Sequence, residues 1–234
     1  MVEAGIATAE GAVKKKAYHH GDLRNAIIQE ATARARVSGE KAIILREIAP
    51  HIGVSATAAY RHFANRQQLV EEVAARGFVE LVGRVAAATV GGAVSDPVLA
   101  AYRELREAAL AVVEFSIDEP AWARTMMENL GPAETVAAHA DAINVELQAI
   151  VERGIEAGAF RPGVVMNDEL PLWAAIDGLS AQAMFGIRPM RTPDAARSTA
   201  RTIDLCMTDL LTDEGLRARD AAFPAADITA DAGV

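Results

Sequence analysis

Apolar side chains return every three to four residues along most of this chain, with polar residues filling the gaps, a period that predicts helices. Leu23, Ile27, Ala31 and Ala35 mark the first, expected over Asp22 to Ser38 with Asp22 as its N-cap. Beyond residue 65 the pattern predicts helices near residues 66–90, 95–117, 120–129, 134–157, 168–186 and 193–212. Breakers separate them: Gly91-Gly92, Pro97 in a first turn, Pro120, Gly131-Pro132, a loop from Gly158 to Gly163, and the Pro189 to Pro193 connection. No segment alternates with the period of a strand, so the expected fold is all-α. From Asp213 onward the chain is rich in Ala and Asp and reads as a loose tail.

The segment LREIAPHIGVSATAAYRHFANRQQL, residues 45–69, carries the most specific pattern. Ala49 is small where two helices must cross, and Gly53 can take the positive φ of a sharp interhelical turn. Ser55 stands at an N-cap position for a short helix, Ala56 to Phe63, of the kind presented to a DNA major groove. At 100° per residue Thr57, Tyr60 and Arg61 share one arc of that helix, while Ala59 and Phe63 lie on the other.

Gly53-Val54-Ser55, Tyr60-Arg61-His62-Phe63, Asn65-Arg66 and Leu69 together resemble the DNA-binding head of the TetR family (TetR/AcrR type) of bacterial transcriptional regulators. The resemblance covers roughly residues 18–80. It implies an N-terminal three-helix head with a helix-turn-helix, a larger helical body for effector binding and dimerisation, and no enzymatic activity. It also implies that Tyr60 and His62 hydrogen-bond phosphates. Two positions depart from the family pattern. Pro50 falls inside the first motif helix, where a proline costs about 3 kcal/mol, so that helix should be short or kinked. Ala59 stands where the family places a larger aliphatic residue.

Charge changes the picture only when read by segment. The whole chain carries a formal net charge of -9, which alone argues against a polyanion partner. Lys14 to Arg66, however, holds ten Lys and Arg against four acids, while residues 67–234 hold thirteen against twenty-six. Basic charge is thus concentrated beside the motif, as phosphate binding requires. Arg61 is the leading candidate for a bidentate guanine contact, with a phosphate contact as the alternative. Ser55 and Thr57 are candidates for base or phosphate contacts, Ser55 equally for capping alone. Arg46 and Arg66 are candidate phosphate ligands, and Lys14, Lys15 and Lys16 form a basic arm able to follow the backbone or remain solvated.

These readings divide the chain into a flexible arm (1–17), a helix-turn-helix head (18–65), a helical effector and dimerisation unit (66–212) and a loose tail (213–234). In the body, Leu105, Phe115, Trp122, Met126, Met127, Trp173 and Met184 offer adaptable apolar surface for a small hydrophobic effector, or simply a core. Ala175, Gly178, Leu179, Gln182 and Ala183, with Ile203, Met207 and Leu210, form small and apolar stripes suited to a homodimer interface or to intrachain packing. No phosphate loop, nucleophile elbow or metal motif appears, so neither cofactor nor metal is expected. A single cysteine, Cys206, and no apolar run long enough to span a bilayer fit a cytoplasmic protein without membrane partners.

The expected activity is that of a dimeric repressor on a palindromic operator, its two reading helices about 34 to 36 Å apart and an effector favouring another spacing. A DNA-binding regulator with a filled body and no effector is the alternative, and a helical enzyme with a vestigial head is a distant third.

Overall fold

A computed structural model describes residues 20–90, 94–131, 134–165 and 170–223. Among these described residues ten α-helices follow one another: α1 His20–Ser38, α2 Leu45–His51, α3 Ala56–Tyr60, α4 Arg66–Thr89, α5 Pro97–Asp118, α6 Pro120–Glu128, α7 Glu134–Glu156, α8 Leu170–Met184, α9 Pro193–Met207 and α10 Asp213–Ala222. Short 3₁₀ turns stand at Glu40–Ala42 and Thr208–Leu210. Among the described residues no strand forms; one antiparallel bridge joins Phe160 and Leu211.

Five of the helix starts rest on a side chain that satisfies a first-turn amide, an arrangement worth about 1 kcal/mol each. Ser55 accepts from Ala58 N at 3.2 Å, and Asn65 Oδ1 from Gln68 N at 2.9 Å. Asp96, Thr192 and Thr212 cap α5, α9 and α10 in the same way. Asp22, expected as a cap, instead lies inside α1, which begins at His20.

One apolar core runs from head to body. Leu23, Ile27, Ala31 and Ala35 of α1 bury against Ile48 and Ala49 of α2, Ala59 and Phe63, and the first turns of α4. The same core continues along α4 into Leu105 and Phe115 of α5, Trp122 and Met126 of α6, and Leu147 and Ile150 of α7. A Cβ at Gly77 would collide with Met126 Sδ, so the missing side chain is what lets α6 lie so close against α4.

As far as Phe223 the C-terminal segment corrects the expectation of a loose tail; residues 224–234 of that tail lie outside the described residues. The helix expected over residues 193–212 ends at Met207, and the chain turns so that Leu210 and Leu211 bury. Thr212 Oγ1 then donates to Gly158 O at 2.7 Å and caps α10. At the far end Phe223 lies 6.0 Å from the Tyr102 ring, with the Arg106 guanidinium 4.9 Å from its centroid. Tyr102 and Arg106 both donate to Asp204 Oδ1, at 2.8 and 2.7 Å. Burial, followed by the Asp204 carboxylate, drives the Tyr102 phenol well above its ordinary pKa.

Candidate nucleic-acid interface

The reading surface is built by two short helices and the turn between them. Pro50 stands one residue from the end of α2, which spans only seven residues, as the proline led one to expect. Its missing donor therefore affects the last turn alone. Ile52 N still bonds Ile48 O at 3.1 Å, and Val54 N reaches Ala49 O at 2.9 Å. Gly53 adopts φ +80° in open space, so any side chain there would be strained by backbone conformation and not by crowding.

Helix α3 is shorter than expected, ending at Tyr60, although His62 N and Phe63 N still bond Ala59 O. Ala59 and Phe63 are fully buried, while Thr57, Tyr60 and Arg61 are exposed and His62 is half-buried. Small Ala59 fits a closed contact with α2 and α1. The exposed arc thus offers a hydroxyl, a phenol and a guanidinium, which suit base edges and phosphate oxygens. Ser55 is exposed as well, but its oxygen is engaged in the cap.

The basic footprint is narrower than the sequence count suggests. Arg24 pairs with Glu72, Arg34 with Glu30 at 2.8 Å and Glu47 at 3.4 Å, and Arg36 with Glu119 at 2.6 Å and with Glu80. Arg66, expected on a phosphate, stays 43% exposed at its side chain and is engaged within the chain. Its Nε donates to Ile43 O at 3.0 Å, its Nη1 to Glu40 Oε1 at 2.8 Å and its Nη2 to Glu40 O at 2.5 Å. Three acceptors matching the guanidinium fork explain the orientation. Among the described residues, Lys41, Arg46 and Arg61 are the head cations outside these ion pairs. Lys14, Lys15 and Lys16 lie outside the described residues.

Glu40 is a participant that counting charges missed. Burial opposes its ionised form, yet hydrogen bonds from Asn129 and Arg66 and the Arg66 charge outweigh that cost and hold its carboxyl below the ordinary range. Only the distance from residue 40 to residue 129 across the fold reveals the partnership.

In the body, Leu105, Phe115, Trp122 and Met126 are buried core side chains. The Trp122 indole donates to Val73 O at 3.0 Å, so it does not await a ligand. Trp173 and Met184 are half-buried against the same core, and Met127 is exposed at the end of α6. The α9 residues expected at a dimer face, Ile203 and Met207, are fully buried within the chain, as is Leu210 just beyond. Their spacing serves intrachain packing. Ala175, Gly178, Leu179 and Gln182 line an open groove of about 510 Å³ between α8 and α9, and Ala183 is half-buried beside it. Among the described residues no His, Cys, Asp and Glu group has metal-binding spacing, and no helix is long and apolar enough to cross a membrane.

A capped two-helix unit exposing polar residues over a buried floor, set on a larger helical body, is the architecture of a helix-turn-helix head on a helical domain. Residues 29–73 match the family "Bacterial regulatory proteins, tetR family". Among solved structures, a protein of unknown function from Rhodococcus sp. RHA1 is 26% identical, with a TM-score of 0.70 over 85% of this chain and 100% of its own. The TetR family transcriptional regulator PfmR from Thermus thermophilus is 26% identical, with a TM-score of 0.51 over 81% of this chain and 97% of its own. A putative transcriptional regulator of the TetR family from Vibrio parahaemolyticus shares the fold at 19% identity, with a TM-score of 0.57 over 82% of this chain and 100% of its own. No curated protein matches the chain. Over residues 29–73 the chain is thus similar to bacterial regulatory proteins of the tetR family, and beyond them it shares the helical fold of the solved structures.

Proposed function

We propose that this protein is a transcriptional regulator of the tetR kind, a homodimeric repressor that reads a palindromic operator through α3. The observation that carries the reading is the division of α3 into a buried floor, Ala59 and Phe63, and an exposed arc, Thr57, Tyr60 and Arg61. Arg61 supplies the base contact, and Tyr60, His62 and Arg46 supply phosphate contacts. A single head spans one half-site, so a two-fold pair is needed to cover both halves. The face around the α8 and α9 groove supports such a pair: Gly178 is exposed on it, and Phe185, Ile187 and Leu205 leave large apolar surface in water nearby.

Release by a small hydrophobic effector is the regulatory half of the proposal, with Trp173, Met184 and Met127 as the body side chains left incompletely buried. A second reading, a filled body without effector, is favoured by the complete burial of Leu105, Phe115, Trp122 and Met126. Selection of bound sequences from random DNA tests the first claim: a palindrome is expected, and recovery of no sequence would overturn it. A thermal-shift screen separates the two regulatory readings, since a ligand at 100 times its Kd stabilises the fold by about 2.7 kcal/mol.

A further inference from the structure

Helix α6 belongs to the body by sequence, yet its two ends and its middle are held by the head. At its start Glu119 accepts from Arg36 of α1, whose guanidinium also stacks 4.4 Å from the Trp122 ring centroid. Along its middle the Gly39 turn passes against Ala121 and Thr125, a Cβ there falling 3.5 Å from Ala121 O. At its end Asn129, the C-cap, donates from Nδ2 to Glu40 Oε2 at 3.0 Å and to Thr125 O at 2.9 Å, and accepts from Gln67 Nε2 at 3.0 Å.

Glu40 is therefore shared between two regions. One carboxylate oxygen takes Arg66 at the first turn of α4, and the other takes Asn129 at the end of α6. Its backbone carbonyl binds Arg66 as well, and Ile43, three residues on, gives its carbonyl to the same guanidinium. Ile44 follows directly as the N-cap residue of α2. The polar bridge thus ends at the entry to the helix-turn-helix, where a small tilt is carried into α3.

We propose that Glu40 and Asn129 are positioning residues that fix the orientation of the reading head on the body. The apolar core beneath α1 holds the two regions together without directional preference, whereas hydrogen bonds of fixed geometry specify an angle. Loss of the bridge leaves the half-site readout of Arg61 in place and loosens the spacing between two heads. The inference rests on the DNA-reading, dimeric function above for its consequence, though not for the orientation itself.

The test uses spin labels at Ala33→Cys on α1 and Val145→Cys on α7, both exposed positions, in a Cys206→Ser chain diluted with unlabelled protein. Double electron-electron resonance then reports the distance from head to body within one chain. Asn129→Ala is expected to shift or broaden that distribution, and Asn129→Asp, which sets a second carboxylate against Glu40, to do so further. Asn129→Ala added to Glu40→Ala should add little, because Glu40→Ala already removes the acceptor of the Asn129 bond along with that of Arg66. Unchanged distributions in the Asn129 variants would overturn the proposal. The same variants are assayed on operators whose half-sites are moved apart or together by one base pair. Discrimination against the altered spacings should fall by roughly fivefold or more. Equal loss on every spacing would mean a merely structural role and would also overturn it. Failure of the unsubstituted protein to select any palindrome would sink the dimeric DNA-reading function instead, while the label distances still judge the bridge.

Discussion

Head and body use the same kinds of residue to opposite ends. In the head, the informative side chains point away from a small core: Thr57, Tyr60 and Arg61 are exposed because Ala59 and Phe63 are not. In the body, the side chains that looked informative point inward. Leu105, Phe115, Trp122 and Met126 are consumed by packing, and the Trp122 donor is consumed by Val73 O. On the proposed reading, function in the head is therefore a property of single residues, whereas in the body it depends on space that packing has largely filled.

The sharpest way to break this contrast is Trp122→Ala. Removing a fully buried indole should cost about 3 to 5 kcal/mol of stability, read as a fall in the urea midpoint. The DNA sequence selected by whatever remains folded should not change. A variant of nearly normal stability would mean that Trp122 is not a packed core side chain and would return it to candidacy as a ligand contact. Arg61→Ala is the complementary case. It should leave the urea midpoint unmoved and lose about 1 to 3 kcal/mol of discrimination for one base in each half-site, measured by fluorescence anisotropy on a series of single-base operator variants. Loss spread evenly over all sequences would make Arg61 a phosphate contact.

The same contrast explains what was legible in the sequence. Helix positions followed from period and punctuation, and the breakers at Pro97, Pro120 and Pro193 fall at first turns as expected. Gly53 and Ser55 could be placed because each answers a local backbone demand, a positive φ and an open amide. Long-range partnerships were not legible. Nothing near Arg66 announces that Glu40 and Ile43 will take its guanidinium, so its charge alone reads as free for DNA. Ile203 and Met207 left two readings open for a related reason, and their burial within the chain matches the intrachain one. An apolar stripe has the same period whether it faces its own core or a second subunit. The tail misled because Ala and Asp dominate its composition, while the residues that fasten it, Leu211, Thr212 and Phe223, act through Phe160, Gly158 and Tyr102 elsewhere.

A smaller effect separates capping from contact at Ser55. Ser55→Ala should cost about 1 kcal/mol of stability through the lost cap. Ser55→Asp keeps a capping oxygen, so it should restore thermal stability. If affinity for operator recovers in parallel, the hydroxyl acts through the helix; if the new charge weakens binding while stability returns, the position lies against phosphate. Salt dependence draws a finer line between Arg46 and Arg66. Arg46→Ala should lower the slope of log affinity against log salt by about one. Arg66→Ala should leave that slope unaltered, since its guanidinium is spent on Glu40 and Ile43, and should lower the melting temperature instead.

The smallest expected effect is on the pH profile, and it too divides the two regions. Glu40 has its carboxyl held low, by hydrogen bonds from Asn129 and Arg66 and by the Arg66 charge, which together outweigh burial. Its contribution is present above the unfolded glutamate value, ordinarily 4.5, and is lost as pH falls through the lower folded value. Glu114 and Asp177 in the body run the other way. Burial raises both, with Glu107 and Asp118 adding to the effect on Glu114, so each favours folding more as pH falls through its raised value. Acid should therefore loosen the head's hold on the body before it weakens the body itself. Glu40→Gln removes the first response and leaves the second. Urea midpoints measured from neutral pH down through the carboxylate range should fall less steeply for Glu40→Gln than for the unsubstituted chain. Hydrogen exchange of α2 and α3 amides should lose its acid-dependent rise in the same variant. Equal slopes for the two proteins would show that the Glu40 bridge contributes nothing to the link between head and body.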